Sequence, residues 1–426
     1  MINRLIANVL FVFLILIGIH SGSAMAQDTI FARETLKKLC SPEFGGRGYV
    51  DGGNKKAADY IASKYQEFGL HALSKAYFQK FDIKINTISD IGNIIVSEDT
   101  LVPGVDYYIS NASKGVNGEF ELKFVNDSLF ANNKDYLQEI LMSDLSDKFL
   151  VFSDYKSDFR FTFKTKVKGL IFLRDGDIGY WDFRNAQNPV NYAILDIESS
   201  KLPVNTKNIN VHFKNTFHTA YPTQNIIGYT KGRLYPDSFI AITAHYDHMG
   251  KMGHDVYFPG ANDNASGTTM MMDLAKYFSD STHQADYGIV FMAFSGEEIG
   301  LLGSQYYVRN PLFNLKRIKM LINIDMVGTG SKGIKVVNAS VFKAEFKKLQ
   351  KINKSNNYLA AVKSRGESCN SDHCPFYTVG VPSFFIYTLG DEYSEYHNIT
   401  DKAEDLPLTK YPELFKLLRD YIIEFK

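Results

Sequence analysis

Apolar residues recur at three- and four-residue steps in two stretches near the start of the chain, 28–45 and 54–69. In the second, Ala58, Ile61, Tyr65 and Phe68 fall on one face and Gly69 closes it, the spacing of an amphipathic helix. From about 97 the pattern changes to short strand-like runs at 120–125, 148–153, 167–173, 192–197 and 209–213, separated by turns rich in Asn, Asp, Ser and Gly. After about 222 it changes again. Nearly continuous apolar strands at 240–244, 289–294, 320–324 and 383–387 alternate with helical periodicity at 264–278, 299–309, 341–353 and 412–425. Such alternation predicts an α/β fold, a doubly wound and mainly parallel sheet with helices on both faces. Asn93-Ile94-Ile95 before the strand-rich stretch is echoed by Asn225-Ile226-Ile227 after it. We read the echo as the edges of an insertion. The domain plan is then 27–96 and 223–426 for the α/β body, with a β-rich inserted domain at 97–222.

The first 26 residues read differently. Arg4 is followed by an apolar run at 5–19 and by Ala24-Met25-Ala26, the layout of a secretory signal cleaved near Ala26. The run is shorter than the roughly 20 residues of a spanning helix, so the mature protein is expected in the periplasm or outside the cell, with no stable membrane anchor. The 426 residues are 45% hydrophobic and 22% charged, a globular composition. Forty-seven basic residues balance forty-seven acidic ones, which argues against a nucleic-acid partner. Of three cysteines, Cys40 sits in an apolar helix pattern and reads as a small buried hydrophobe. Cys369 and Cys374 lie five apart in a polar loop, and export permits a bridge between them.

Candidate chemistry gathers at the ends of the predicted strands. The first ends in His245-Tyr246-Asp247-His248; in an extended chain His245 and Asp247 share a face, so Asp247 can accept the N–H a metal-bound imidazole leaves free. The loop 260–267 opens a helix with Asp263 just before it. Glu297 and Glu298 end the next strand, Asp325 another, and His397 follows an acidic loop. In open α/β sheets function collects beyond the carboxyl ends of strands. Two histidines and three carboxylates suit a pair of divalent ions with one carboxylate bridging, and a hydroxide between the ions completes charge balance. The remaining carboxylate can serve as general base.

The segments AHYDH, GANDNASG, FSGEEIGLLGS, NIDMVG and SDH…EYHNITD resemble metallopeptidase family 28, which holds co-catalytic zinc aminopeptidases, glutamate carboxypeptidases and glutaminyl cyclases. LCSPEFGGRG and NKKAADYIASKYQEFGL are similar to that family's leading helices. The resemblance implies two zinc ions and assigns each residue a role. Asp263 bridges the ions, His245 and Asp325 complete one site, Glu298 and His397 the other. Glu297 is the general acid/base and Asp247 stands behind His245. The insertion, through its position and strands such as VKGLIF, is similar to a protease-associated domain.

Other residues are read as structural. His248, His254 and His373 match no ligand position and are read as surface residues or as supports behind the ligands, Asp372 is a hydrogen-bonding neighbour, and the buried stripe of the 264–278 helix includes Met271, Leu274, Ala275 and Phe278. The expected activity is hydrolysis of the first peptide bond of peptides with a free N-terminus. Within the same family a single-zinc glutaminyl cyclase is one alternative; it is disfavoured because Tyr396, where cyclases tend to place tryptophan, precedes His397. A carboxypeptidase is the other, with Arg365 as its carboxylate-binding candidate. A binding protein on an inactive scaffold would have lost ligands, and all five are present.

Overall fold

The computed structural model describes residues 20–426 except 154–157, 165, 177, 182 and 184. The apolar run behind the export expectation lies outside the described residues. Twelve strands matter here: β1 Phe78–Val96, β2 Val116–Phe124, β3 Leu145–Phe152, β4 Val167–Arg174, β5 Ala193–Glu198, β6 Asn208–Thr230, β7 Tyr235–His245, β8 Tyr287–Phe294, β9 Ile318–Ile324, β10 Ile334–Val337, β11 Val362–Ser364 and β12 Ser383–Thr388. One sheet runs through them in the order β11-β10-β12-β9-β7-β8-β6-β2-β3-β4-β5, with β1 paired to β6.

The α/β body is built around β7, which lies parallel to β8 on one side and β9 on the other, with β12 parallel to β9 beyond. Because both faces are covered, these strands are apolar throughout and not alternating. Successive side chains still sort by face. Ile240, Ile242 and Ala244 join a core with helices His20–Leu39, Gly53–Glu67, Gly267–Ser279 and Tyr411–Ile423; Phe239 and Ala241 join another with Tyr307 and Phe376. Met270, Met271 and Met272 are all buried in the first core. Antiparallel strands β6 and β10 flank the parallel centre. This is the doubly wound α/β sheet that the alternation predicts. Among the described residues no helix is long and apolar enough to cross a membrane.

Three expectations change. The helix read at 28–45 stops at Leu39, because Pro42 cannot continue it and a tight 3₁₀ segment, Pro42–Arg47, follows. The Asn-Ile-Ile echo does not mark two matching edges. β1 and β6 are 19 and 23 residues long and pair along nearly their whole length, so Ile226 faces Phe78 while Ile94 faces Val211 at the far end of the ladder. The segment 97–222, expected to be β-rich, carries helices that its turn-like residues did not announce. Its strands β2 to β5 are mutually parallel, and helices Asp127–Asn132 and Lys134–Met142 connect two of them. Asn126 and Asn133 cap those helices; asparagine favours turns and caps alike, and the turn reading hid the helices.

The N-terminal segment is tied to the body by a buried arginine. The Arg47 guanidinium donates to the carbonyls of Tyr246, Pro259 and Gly260 at 2.6–2.7 Å and of Leu39 at 3.1 Å. Gly48 permits the approach, since a Cβ there would sit 2.3 Å from Gly250 Cα. Both loops that Arg47 grips lead into the site described below. Leaving buried carbonyls unpaired costs about 1–3 kcal/mol each, so Arg47→Met should lower unfolding free energy by at least about 3 kcal/mol, read from the denaturant midpoint. An unchanged midpoint would show that the clamp contributes nothing.

Candidate metal centre

Two turns and three strand ends bring the polar residues together. β7 delivers His245, and the chain beyond it carries Asp247 and His248. β8 runs into Glu297 and Glu298, β9 into Asp325, and the turn Ala261–Ser266 carries Asp263 ahead of its helix. That turn is stitched to the end of β9. Asn264 donates to Ile324 O and accepts from Met326 N, while Ser266 Oγ accepts from Val327 N. Gly267 allows the contact, because a Cβ there would meet Ile324 O at 2.4 Å. The buried Asp401 carboxylate accepts from the backbone N–H groups of Asn262 and Asp263, holding Asp263 in place from behind. The Asp263–Asn264 peptide is cis.

The two oxygens of Asp263 face different histidines. Oδ1 lies 3.4 Å from His245 Nε2, and Oδ2 lies 2.9 Å from His397 Nε2. Around the first, Asp325 Oδ1 is also 3.4 Å from His245 Nε2; around the second, Glu298 Oε2 is 3.3 Å from His397 Nε2. Donors about 2.0–2.2 Å from one tetrahedral ion stand roughly 3.3–3.6 Å from each other, so most of these spacings are those of ligands sharing a cation. Glu297 lies with His245 and Asp325, beside the first group.

The atoms behind the donors set their orientation. His245 Nδ1 lies 3.2 Å from the carbonyl of Asp247 and donates to it, which leaves Nε2 free for a metal. Asp325 Oδ2 accepts from Ser371 Oγ, itself held by Asn323, while Oδ1 is buried with no hydrogen-bond partner among the described residues. A buried carboxylate oxygen left this way is costly unless a cation takes it. The donor set and this oxygen fit divalent ions of the zinc type.

Electrostatics agree. Burial works against charge on His245 and His397, yet the carboxylates around them overcome it and raise both well above the ordinary imidazole value. Burial, and then the neighbouring Glu298, Asp372 and Asp325, push the Glu297 carboxyl well up despite the opposing pull of His245. Asp372, buried against Ser304 Oγ, is raised to about 7 for the same leading reason. The carboxylates outnumber the histidines, and the site is a concentration of negative potential.

All seven residues expected from sequence converge here, but two details differ. The Asp247 carboxylate stands 3.8 Å from His245 Nδ1; its oxygens accept instead from Glu297 N and Tyr49 Oη. It therefore fixes the backbone at Glu297 as well as flanking His245. His248 is fully buried, with Nδ1 2.8 Å from Glu298 Oε1, so it steadies a metal-directed carboxylate. Its position one residue beyond the H-x-D pair carried no periodic signal. His254 lies away on the surface near Asp51, and His373 bonds Ser368 O. Cys369 and Cys374 form a disulfide beside Ser371, and Cys40 is buried and free.

Fold and site together define a doubly wound α/β sheet with a carboxylate–histidine centre at its parallel strand ends. Residues 225–422 match the model of peptidase family M28, a span that contains every metal-directed residue and Glu297. Over 240 residues the chain is 32% identical to Aminopeptidase YwaD of Bacillus subtilis (strain 168), covering 51% of this chain and 48% of that protein. It is 30% identical over 195 residues to a probable leucine aminopeptidase of Arthroderma otae, covering 44% and 54%. The chain thus spans about half the length of these curated relatives. In three dimensions it is similar to the zinc aminopeptidase BSAP of Bacillus subtilis, with a TM-score of 0.70 at 22% identity over 92% of this chain and 94% of that one. An aminopeptidase from Aneurinibacillus sp. strain AM-1 gives 0.65 at 19% identity over 92% of each. These structures share the fold.

The contact from His248 generates a test. His248→Ala frees Glu298 Oε1, and losing a partner of this kind weakens metal binding by roughly 10–100-fold. Chelator competition on the zinc-loaded protein should show metal loosened to that extent. Unchanged metal affinity would remove His248 from this role.

Proposed function

We propose that this chain is an exported, zinc-dependent metallo-aminopeptidase of peptidase family M28 that removes N-terminal residues from peptides. The observation that carries the reading is Asp263, whose two oxygens each face a separate histidine–carboxylate pair. His245 and Asp325 would hold one ion, Glu298 and His397 the other, with Asp263 shared. Bound there, the ions supply a water nucleophile at neutral pH and polarise the scissile carbonyl. Glu297 would take a proton from the attacking water as its oxygen bonds to the carbonyl carbon, and return it to the amine nitrogen as the C–N bond breaks. Asp247 fixes the backbone of Glu297 for that exchange. The YwaD and BSAP likenesses support the aminopeptidase branch. Export rests on residues 1–26, and the segment 97–222 is read as a protease-associated-like domain within the catalytic chain.

The function is tested by end selectivity. With zinc supplied, peptides carrying a free N-terminus should be hydrolysed, acetylation of that N-terminus should abolish cleavage, and amidation of the C-terminus should matter little. The reverse dependence would establish a carboxypeptidase, and ring closure of N-terminal glutamine a cyclase. Glu297→Gln should lower kcat by roughly 10²–10⁴-fold, the usual worth of general acid–base catalysis, with zinc content unchanged. Loss of zinc in that variant would make Glu297 a ligand.

A further inference from the structure

The cleft beside the metal centre is shared between the catalytic body and the inserted segment. It encloses about 640 Å³, within the range of sites that take small ligands. Glu297, Glu298 and His397 form its polar end. Met249, Ile299 and Tyr396 line it from the catalytic body, and Tyr180, Phe183 and Gln187 from the insertion.

The inserted wall is anchored at both ends of the site. Trp181 N donates to His397 O at 2.9 Å, and Gln187 Nε2 donates to Ile299 O at 2.8 Å. Trp181 itself is buried, stacked on Phe258 with centroids 4.5 Å apart, and its indole N–H donates to Ile109 O. Tyr180 by contrast is 57% exposed and stands edge-on to Tyr396, with centroids 6.0 Å apart; Tyr396 stacks on the His397 ring. A ring held out at the rim of the cleft, with a buried anchor next to it, is placed to meet a ligand.

Which part of a peptide enters follows from proton delivery. Glu297 must reach the amine that leaves, so the residue bearing that amine, the second of the substrate, lies on the Glu297 side. Glu297 lines this cleft together with Ile299 and Gly300, beside Glu298 and His397. We infer that the inserted segment reads the second residue of the substrate, with Tyr180 and Phe183 forming the apolar wall that receives its side chain. The inference rests on the aminopeptidase reading and goes beyond it, because it gives the insertion a share in specificity.

Dipeptide amides separate the two positions. One series keeps leucine first and varies the second residue through Gly, Ala, Leu and Phe; the other keeps phenylalanine second and varies the first. The zinc-loaded full chain is assayed as wild type, Tyr180→Ala and Phe183→Leu, with acetylated copies of each substrate. Because Tyr180 is exposed, its truncation leaves no hole in the core; Phe183→Leu keeps an apolar group if larger changes misfold. The wild type should prefer Leu or Phe second. Each variant should lower the kcat/KM ratio of Leu-Phe to Leu-Gly amide by roughly tenfold, the scale of a lost apolar pocket contact, mainly through KM, while first-residue ratios stay fixed. Equal losses on all substrates, no change, or a shift in first-residue ratios would overturn the inference. A wild type that cleaves the acetylated amides equally well, or none of the free ones, would instead overturn the aminopeptidase reading on which it stands.

Discussion

Like charges buried together are the constraint on which this molecule turns. Asp263, Glu297, Glu298 and Asp325 converge here, the two aspartates buried and the two glutamates at the polar end of the cleft. Removing a charge from water costs several kcal/mol even after relaxation, and neighbouring carboxylates add repulsion. Arg47 does not answer this need, since its guanidinium is spent on backbone carbonyls. The histidines do so in part, and bound divalent cations would answer the rest. Much of the surrounding structure, Asp401 under the Asp263 loop, Ser371 behind Asp325 and His248 behind Glu298, holds oxygens in place where repulsion would scatter them.

The parallel sheet makes such a convergence feasible. Parallel β7, β8 and β9 end at one edge, so the residues that follow them meet without any long loop. Burial on both faces keeps that edge rigid, and the turn carrying Asp263 packs directly on it through Gly267. The price of precision is paid in backbone hydrogen bonds to side chains rather than in surface ion pairs.

Much of this was legible in the chain because its signals are local. Apolar runs of buried parallel strands stand out whatever surrounds them, and the polar residues that end them are next in sequence. For His248 the choice between a surface position and a support behind a ligand was not legible, since burial against Glu298 depends on how the chain turns after β7. The long ladder of β1 and β6 was missed for another reason. Its strands carry charged and polar residues such as Lys84, Asp90, Lys214 and His218, and partnership over such a length is a property of pairing, not of local pattern. The contribution of Tyr180 to the cleft is likewise invisible in a sequence where it lies more than two hundred residues before His397.

The shared role of Asp263 is the centre of the account, and anomalous diffraction from zinc-loaded crystals tests it most directly. Data collected on either side of the zinc edge should show two peaks about 3.5–4 Å apart, the spacing of co-catalytic pairs, with one Asp263 oxygen directed at each. A single peak, or two peaks with Asp263 bound to only one, would contradict it.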